Sequence, residues 1–82
     1  MPQENFATTL ASLAESLPAI IPATELPRLL GGLYTKKTLA NKRSQGFGPK
    51  AFRIGRKIAH TRGDVISWLS EEMRPLDPDA TA

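Results

Sequence analysis

Apolar residues recur along this chain first at helical spacing, then in alternation, then at helical spacing again. Phe6, Leu10, Leu13, Ala14 and Leu17 share one face of a helical repeat, which predicts an amphipathic helix over Gln3 to Leu17 stopped by Pro18. Its stripe is expected to cover the core, with contact to a second copy of the chain as the alternative. "PAIIP", residues 18 to 22, reads as an extended connector, because a proline disfavours helix at the residue before it.

"TELPRLLGG" predicts a short helix with Thr24 as its N-cap. Pro27 falls in its first turn, where no intrahelical donor is lost, and Gly31 and Gly32 end it. Leu26, Leu29, Leu30 and Leu33 are expected to face inward. "TKKTLANKRSQG" predicts a second helix, with Thr35 as N-cap and Gly46 just past its C-terminus. Two short helices joined by a few glycine-containing residues form a helix-turn-helix pattern.

The polar side of that second helix is informative. If Leu39 points at the core, a turn of 100° per residue puts Lys37, Asn41 and Ser44 on the far side, flanked by Thr38, Ala40 and Gln45. Small polar residues allow close approach to a groove; Asn or Gln can pair with adenine, and Lys can reach guanine or phosphate. Lys42 and Arg43 leave nearer the core edge, where their stems can lie on it while their charges reach a phosphate. An ordinary solvated helix is the alternative.

"GFGP" then breaks the helix. Phe52, Ile54 and Ile58 alternate with Arg53, Arg56, Lys57 and His60, and Gly55 sits at the reversal. This predicts a two-stranded hairpin, apolar on one side and cationic on the other, with Gly55, Arg56 and Lys57 at its tip. A lone hairpin is barely stable in water, so it must lean on helices. Thr61 to Asp64 resembles a capping box with Asp in place of Glu, and Val65, Ile66, Trp68, Leu69 and Met73 form a broad apolar stripe ended by Pro75. Trp68 is read as a core anchor and His60 as a strand surface residue. The expected fold is α+β: a small winged helix-turn-helix over 23–74, preceded by an amphipathic helix and connector over 1–22 and followed by a disordered tail over 75–82.

Charge turns this outline into a functional expectation. Lys36 to Arg62 holds nine basic residues and no acidic one, while residues 1–27 carry three acids without Lys or Arg, and residues 63–82 carry five acids against Arg74. A net charge of +3 therefore hides a cationic middle between acidic flanks. Such segregation points to a polyanion, most commonly nucleic acid. In a winged helix the second helix can enter the major groove of duplex DNA while the hairpin tip reaches the adjacent minor groove, where arginine reads width and negative potential. The candidate contacts are Thr35, Lys36, Lys37, Thr38, Asn41, Lys42, Arg43, Ser44 and Gln45 on the helix. On the wing they are Lys50, Arg53, Gly55, Arg56, Lys57, His60 and Arg62.

Other classes fit less well. In 82 residues there is no cysteine and a single histidine, so neither a thiolate nor an imidazole metal cluster can form, and no cofactor is expected. Asp64 is explained by the helix dipole, no paired carboxylates or phosphate loop stand out, and enzymatic activity is not expected. RNA binding remains a lesser alternative that lacks an exposed aromatic platform, and a protein-interaction module using the N-terminal helix is another. The apolar runs fall far short of the roughly 20 residues of a membrane span, and "MPQENFATTL" lacks the basic start of a signal peptide. A cytoplasmic protein away from membranes is the expectation.

The stretches "ELPRLLGG", "TLANKRSQGFGPKAFRIGRKI" and "TRGDVISWL" together resemble the small winged-helix family that includes phage excisionases, AlpA-like regulators and the DNA-binding domain of MerR-type activators. The resemblance covers roughly residues 24–70 and implies DNA binding, with Thr35 to Gln45 as recognition helix and Arg53 to Lys57 as wing. Members often carry an aromatic residue where Lys42 stands and another near His60, so helix packing and the seating of the return strand are expected to differ. Excisionases of this family are architectural factors that bend attachment-site DNA so that an integrase excises a mobile element. A chain without a visible effector domain or dimerising coiled coil fits that recombination directionality role better than a MerR-type one. The resemblance thus implies a bacterial or phage setting, an integrase partner and self-association along DNA, with an AlpA-like promoter regulator as the alternative.

Overall fold

The computed structural model describes residues 6–74. Helix α1 spans Phe6–Ser16, and the Leu17 amide still bonds to the Leu13 carbonyl at 3.0 Å, so helical bonding runs up to Pro18 as expected. The expected start at Gln3 lies outside the described residues, as do the stop at Pro75 and the tail. Leu10 and Leu13 lie half-buried against the core and Leu17 is buried in it, so the apolar stripe does cover the domain.

The connector is a strand. β1, Ile20–Pro22, pairs antiparallel with β3, Lys57–Thr61, which also pairs with β2, Phe52–Ile54. The expected two-stranded hairpin is therefore part of a three-stranded antiparallel sheet of order β1-β3-β2. Among the described residues four helices accompany it, and the architecture is α+β. Proline at the end of β1 is tolerated because β1 is an edge. Ile21 of β1 is 0% exposed, so this short strand contributes one of the most deeply buried side chains.

Loop length decides which face each hairpin residue takes. Ile54 opposes Lys57, leaving Gly55 and Arg56 as a two-residue loop. Gly55 has φ 61° and Arg56 does not have positive φ, which is the signature of a type II′ turn. That register puts Phe52 and Ile54 on one face with Lys57 and Ala59, and Ile58 on the other with Arg53 and His60. The expected division into an apolar and a cationic side is thus replaced by two mixed faces, and Ile54 is half exposed.

Helix α2 is a single turn, Leu26–Leu29. Its N-cap is Glu25 and not Thr24, with no side-chain cap bond; Pro27 sits in the first turn and removes a donor that a cap would have satisfied. The Glu25 carboxylate instead accepts from the Arg28 guanidinium at 2.6 and 2.9 Å. Gly31 and Gly32, both at positive φ, unwind the chain as expected. Leu26 and Leu30 are buried, but Leu33 is 83% exposed, because those two left-handed residues rotate it off the inward face. Helix α3, Lys36–Gln45, and helix α4, Arg62–Glu72, are capped by Thr35 and Thr61, whose side chains accept from the Thr38 and Asp64 amides at 3.0 Å. The core joins Leu17, Ile21, Leu26, Leu30, Leu39, Val65, Trp68 and Leu69.

Candidate nucleic-acid interface

Helix α3 contributes one buried side chain, Leu39, and presents the rest of its surface. Lys36, Lys37, Thr38, Asn41, Ser44 and Gln45 are exposed, while Lys42 and Arg43 are half-buried at the core edge, matching the expected rotation about Leu39. The hydroxyls of Thr35 and Thr38 bond each other at 2.9 Å, and Ser44 donates to the Asn41 carbonyl at 3.1 Å. These hydroxyls are engaged within the helix, whereas Lys37, Asn41 and Gln45 have no side-chain partner among the described residues.

The cations divide in two. Lys42 lies 3.9 Å from the Glu72 carboxylate of α4, which also accepts from the Tyr34 hydroxyl at 3.1 Å. Arg62, expected among the wing cations, donates instead to the Leu17 carbonyl at 3.0 Å and ties α1 to α4. Lys36, Lys37, Arg43, Lys50, Arg53, Arg56 and Lys57 pair with no acid among the described residues. All of these lie on α3, on the hairpin or in the segment joining them.

That segment, Gly46 to Ala51, is fixed from inside. Gly46, at φ 84°, closes α3, and its amide and that of Phe47 bond back to the Arg43 and Lys42 carbonyls. At Gly48 the chain crosses so close to the helix that an added Cβ would stand 3.2 Å from the Arg43 amide nitrogen. Trp68 is buried, and its indole N–H donates to the Phe47 carbonyl at 2.8 Å. His60, expected on the strand surface and among the DNA contacts, is 2% exposed, with Nδ1 2.8 Å from the Lys50 carbonyl. A carbonyl only accepts, so the Nδ1–H of His60 donates. Burial removes His60 from the candidate contacts and makes it a buried clamp on Lys50. Two buried rings thus pin the link between α3 and β2, which sets the spacing of helix and hairpin.

Tyr34 and Glu72 were not singled out in the sequence. The ring of Tyr34 lies 5.1 Å from that of Trp68, tilted by 51°, and its phenol pKa is held above the ordinary value of 10.0 by burial first, then by the hydrogen bond it donates to Glu72 and by that carboxylate's negative charge. A signal existed: Tyr34 precedes the N-cap and Leu39 sits at the fourth helical position, the pattern of a hydrophobic staple. Among the described residues no group of His, Asp and Glu could hold a metal ion, and no helix is long and apolar enough to cross a membrane. No protein-family model matches the chain, and no curated protein matches it.

Proposed function

We propose that this chain binds duplex DNA sequence-specifically as a winged helix-turn-helix, with α2 and α3 as the helix pair, α3 in the major groove and the β2–β3 hairpin as the wing. One observation supports the reading: the Lys and Arg side chains that make neither an ion pair nor a hydrogen bond among the described residues lie on α3, the hairpin and the pinned link between them, whereas Arg28 and Lys42 pair with acids and Arg62 and Arg74 donate to backbone carbonyls. A polar face of Lys37, Asn41 and Gln45 suits base edges, and Arg56 at a type II′ tip suits a phosphate or a narrow groove. Within this reading the chain acts as an excisionase-like architectural factor that bends attachment-site DNA for an integrase. A promoter regulator is the second reading.

A gel-shift titration against DNA upstream of its own gene and any neighbouring attachment site, with excess random competitor, tests both. A ladder of competitor-resistant complexes supports the architectural role, and a single one supports the regulator. Binding erased by competitor removes sequence specificity. Lys37→Ala and Asn41→Ala should each reduce discrimination of target from random DNA by about 1 to 3 kcal/mol where the contact is bidentate. Equal loss on both DNAs would refute base reading by α3.

A further inference from the structure

Between the last turn of α3 and strand β2 the surface folds into an open cleft of about 510 Å³. Arg43, Lys50 and Arg53 stand around it, and Pro49, Phe52 and Ile58 contribute apolar lining. We infer that this cleft seats one stretch of DNA sugar–phosphate backbone, a deoxyribose against the apolar lining with its two flanking phosphates on the three cations. The inference rests on the duplex-binding reading and adds to it a specific anchoring site between helix and wing.

The chemistry of the cleft selects this occupant. None of the three cations has an acidic partner among the described residues, so their charges are available without breaking an ion pair. An inorganic anion would leave the apolar lining unused, whereas a nucleic-acid backbone alternates charged phosphate with an apolar sugar edge. The cleft is also rigid where it matters. Gly48 lies against the Arg43 backbone and the Lys50 carbonyl is held by His60, so two of the three cations sit on chain that cannot drift apart. Preformed geometry lowers the ordering cost of an ionic contact. Because phosphate contacts position a protein without reading sequence, the cleft sets how deep and at what angle α3 meets the groove.

The test compares the intact chain with Arg43→Gln/Lys50→Gln/Arg53→Gln, checked for an unchanged thermal transition, on a fluorescent duplex of random sequence across a range of KCl. Two lost phosphates should flatten the slope of log K against log salt by about 1.8. The Ile58 methyl resonance of the intact protein should move on saturation with duplex. If the intact protein binds with steep salt dependence and the variant keeps the same slope, the cleft is no anchor, although the DNA reading survives. A slope loss near 2.7 means three separate phosphates and overturns the single-segment seat, as does an unmoved Ile58 methyl. Absence of duplex binding by the intact protein at low salt overturns the DNA reading itself. Displacement of duplex by polyglutamate, charge for charge, from the intact protein but not from the variant would assign the cleft to an acidic peptide instead.

Discussion

Gly46 and Gly48 stand two positions apart and are glycine for different reasons. Gly46 needs its left-handed φ of 84° and has open space around it, whereas Gly48 needs the space, since a Cβ there would meet helix backbone at 3.2 and 3.5 Å. Asparagine tolerates the left-handed region, so Gly46→Asn should cost under about 1 kcal/mol. Gly48→Asn should cost about 1 to 3 kcal/mol through overpacking against α3. Urea denaturation of the two variants checks this, and equal costs would mean the link is looser than described. Tyr34 gives a second prediction. Its neutral phenol donates to Glu72, so the stability it contributes is complete below the ordinary value of 10.0 and is lost as pH rises through the raised one. Tyr34→Phe should flatten the alkaline arm of a urea-midpoint profile above pH 10.0, and parallel profiles would contradict it. At this scale the sequence is legible wherever a residue acts on its near neighbours. Thr35, Gly46 and Thr61 work within four positions, and each does what its chemistry announces. His60 does not, because its partner is the Lys50 carbonyl and nothing local distinguishes a buried polar ring from an exposed one.

Elements follow the same division. α3 and α4 are visible from their caps and their apolar spacing, since both signals are local. β1 is not, because three residues between prolines carry no periodicity, and its hydrogen-bonding partner is a strand beyond α2, α3 and β2. The hairpin was legible as a reversal at Gly55, but its faces depend on a two-residue loop that alternation alone does not fix. The strand's contribution can be measured. Ile21→Ala should cost about 2 to 5 kcal/mol, the usual penalty for emptying a fully buried aliphatic site. A surface connector would lose no more than about 0.5 kcal/mol, so a urea midpoint near that of the parent would remove β1 from the core. The candidate interface divides likewise: α3 and its face are legible locally, whereas the bond from Arg62 to the Leu17 carbonyl joins residues 45 positions apart and has no local signal.

For the whole molecule the charge segregation is the feature that sequence alone revealed best, because it needs no coordinates. Tertiary structure separates the engaged cations from the available ones and brings three of the latter, Arg43, Lys50 and Arg53, around one cleft. If the domain binds duplex only when folded, DNA at a hundredfold excess over Kd should raise unfolding free energy by about 2.7 kcal/mol, and added salt should erase the gain. An unchanged denaturation midpoint in low salt would deny coupling between fold and ligand. The strand order β1-β3-β2 has a temporal consequence as well. On the ribosome the first strand emerges long before the central one it must join, while β2 and β3 can meet as soon as both are out. Arg62 and Leu17, 45 positions apart, finally bond across the same gap. The N-terminal helix and strand therefore wait as unpartnered chain until nearly the whole domain has been synthesised, and their docking is the long-range, entropically slow event of folding.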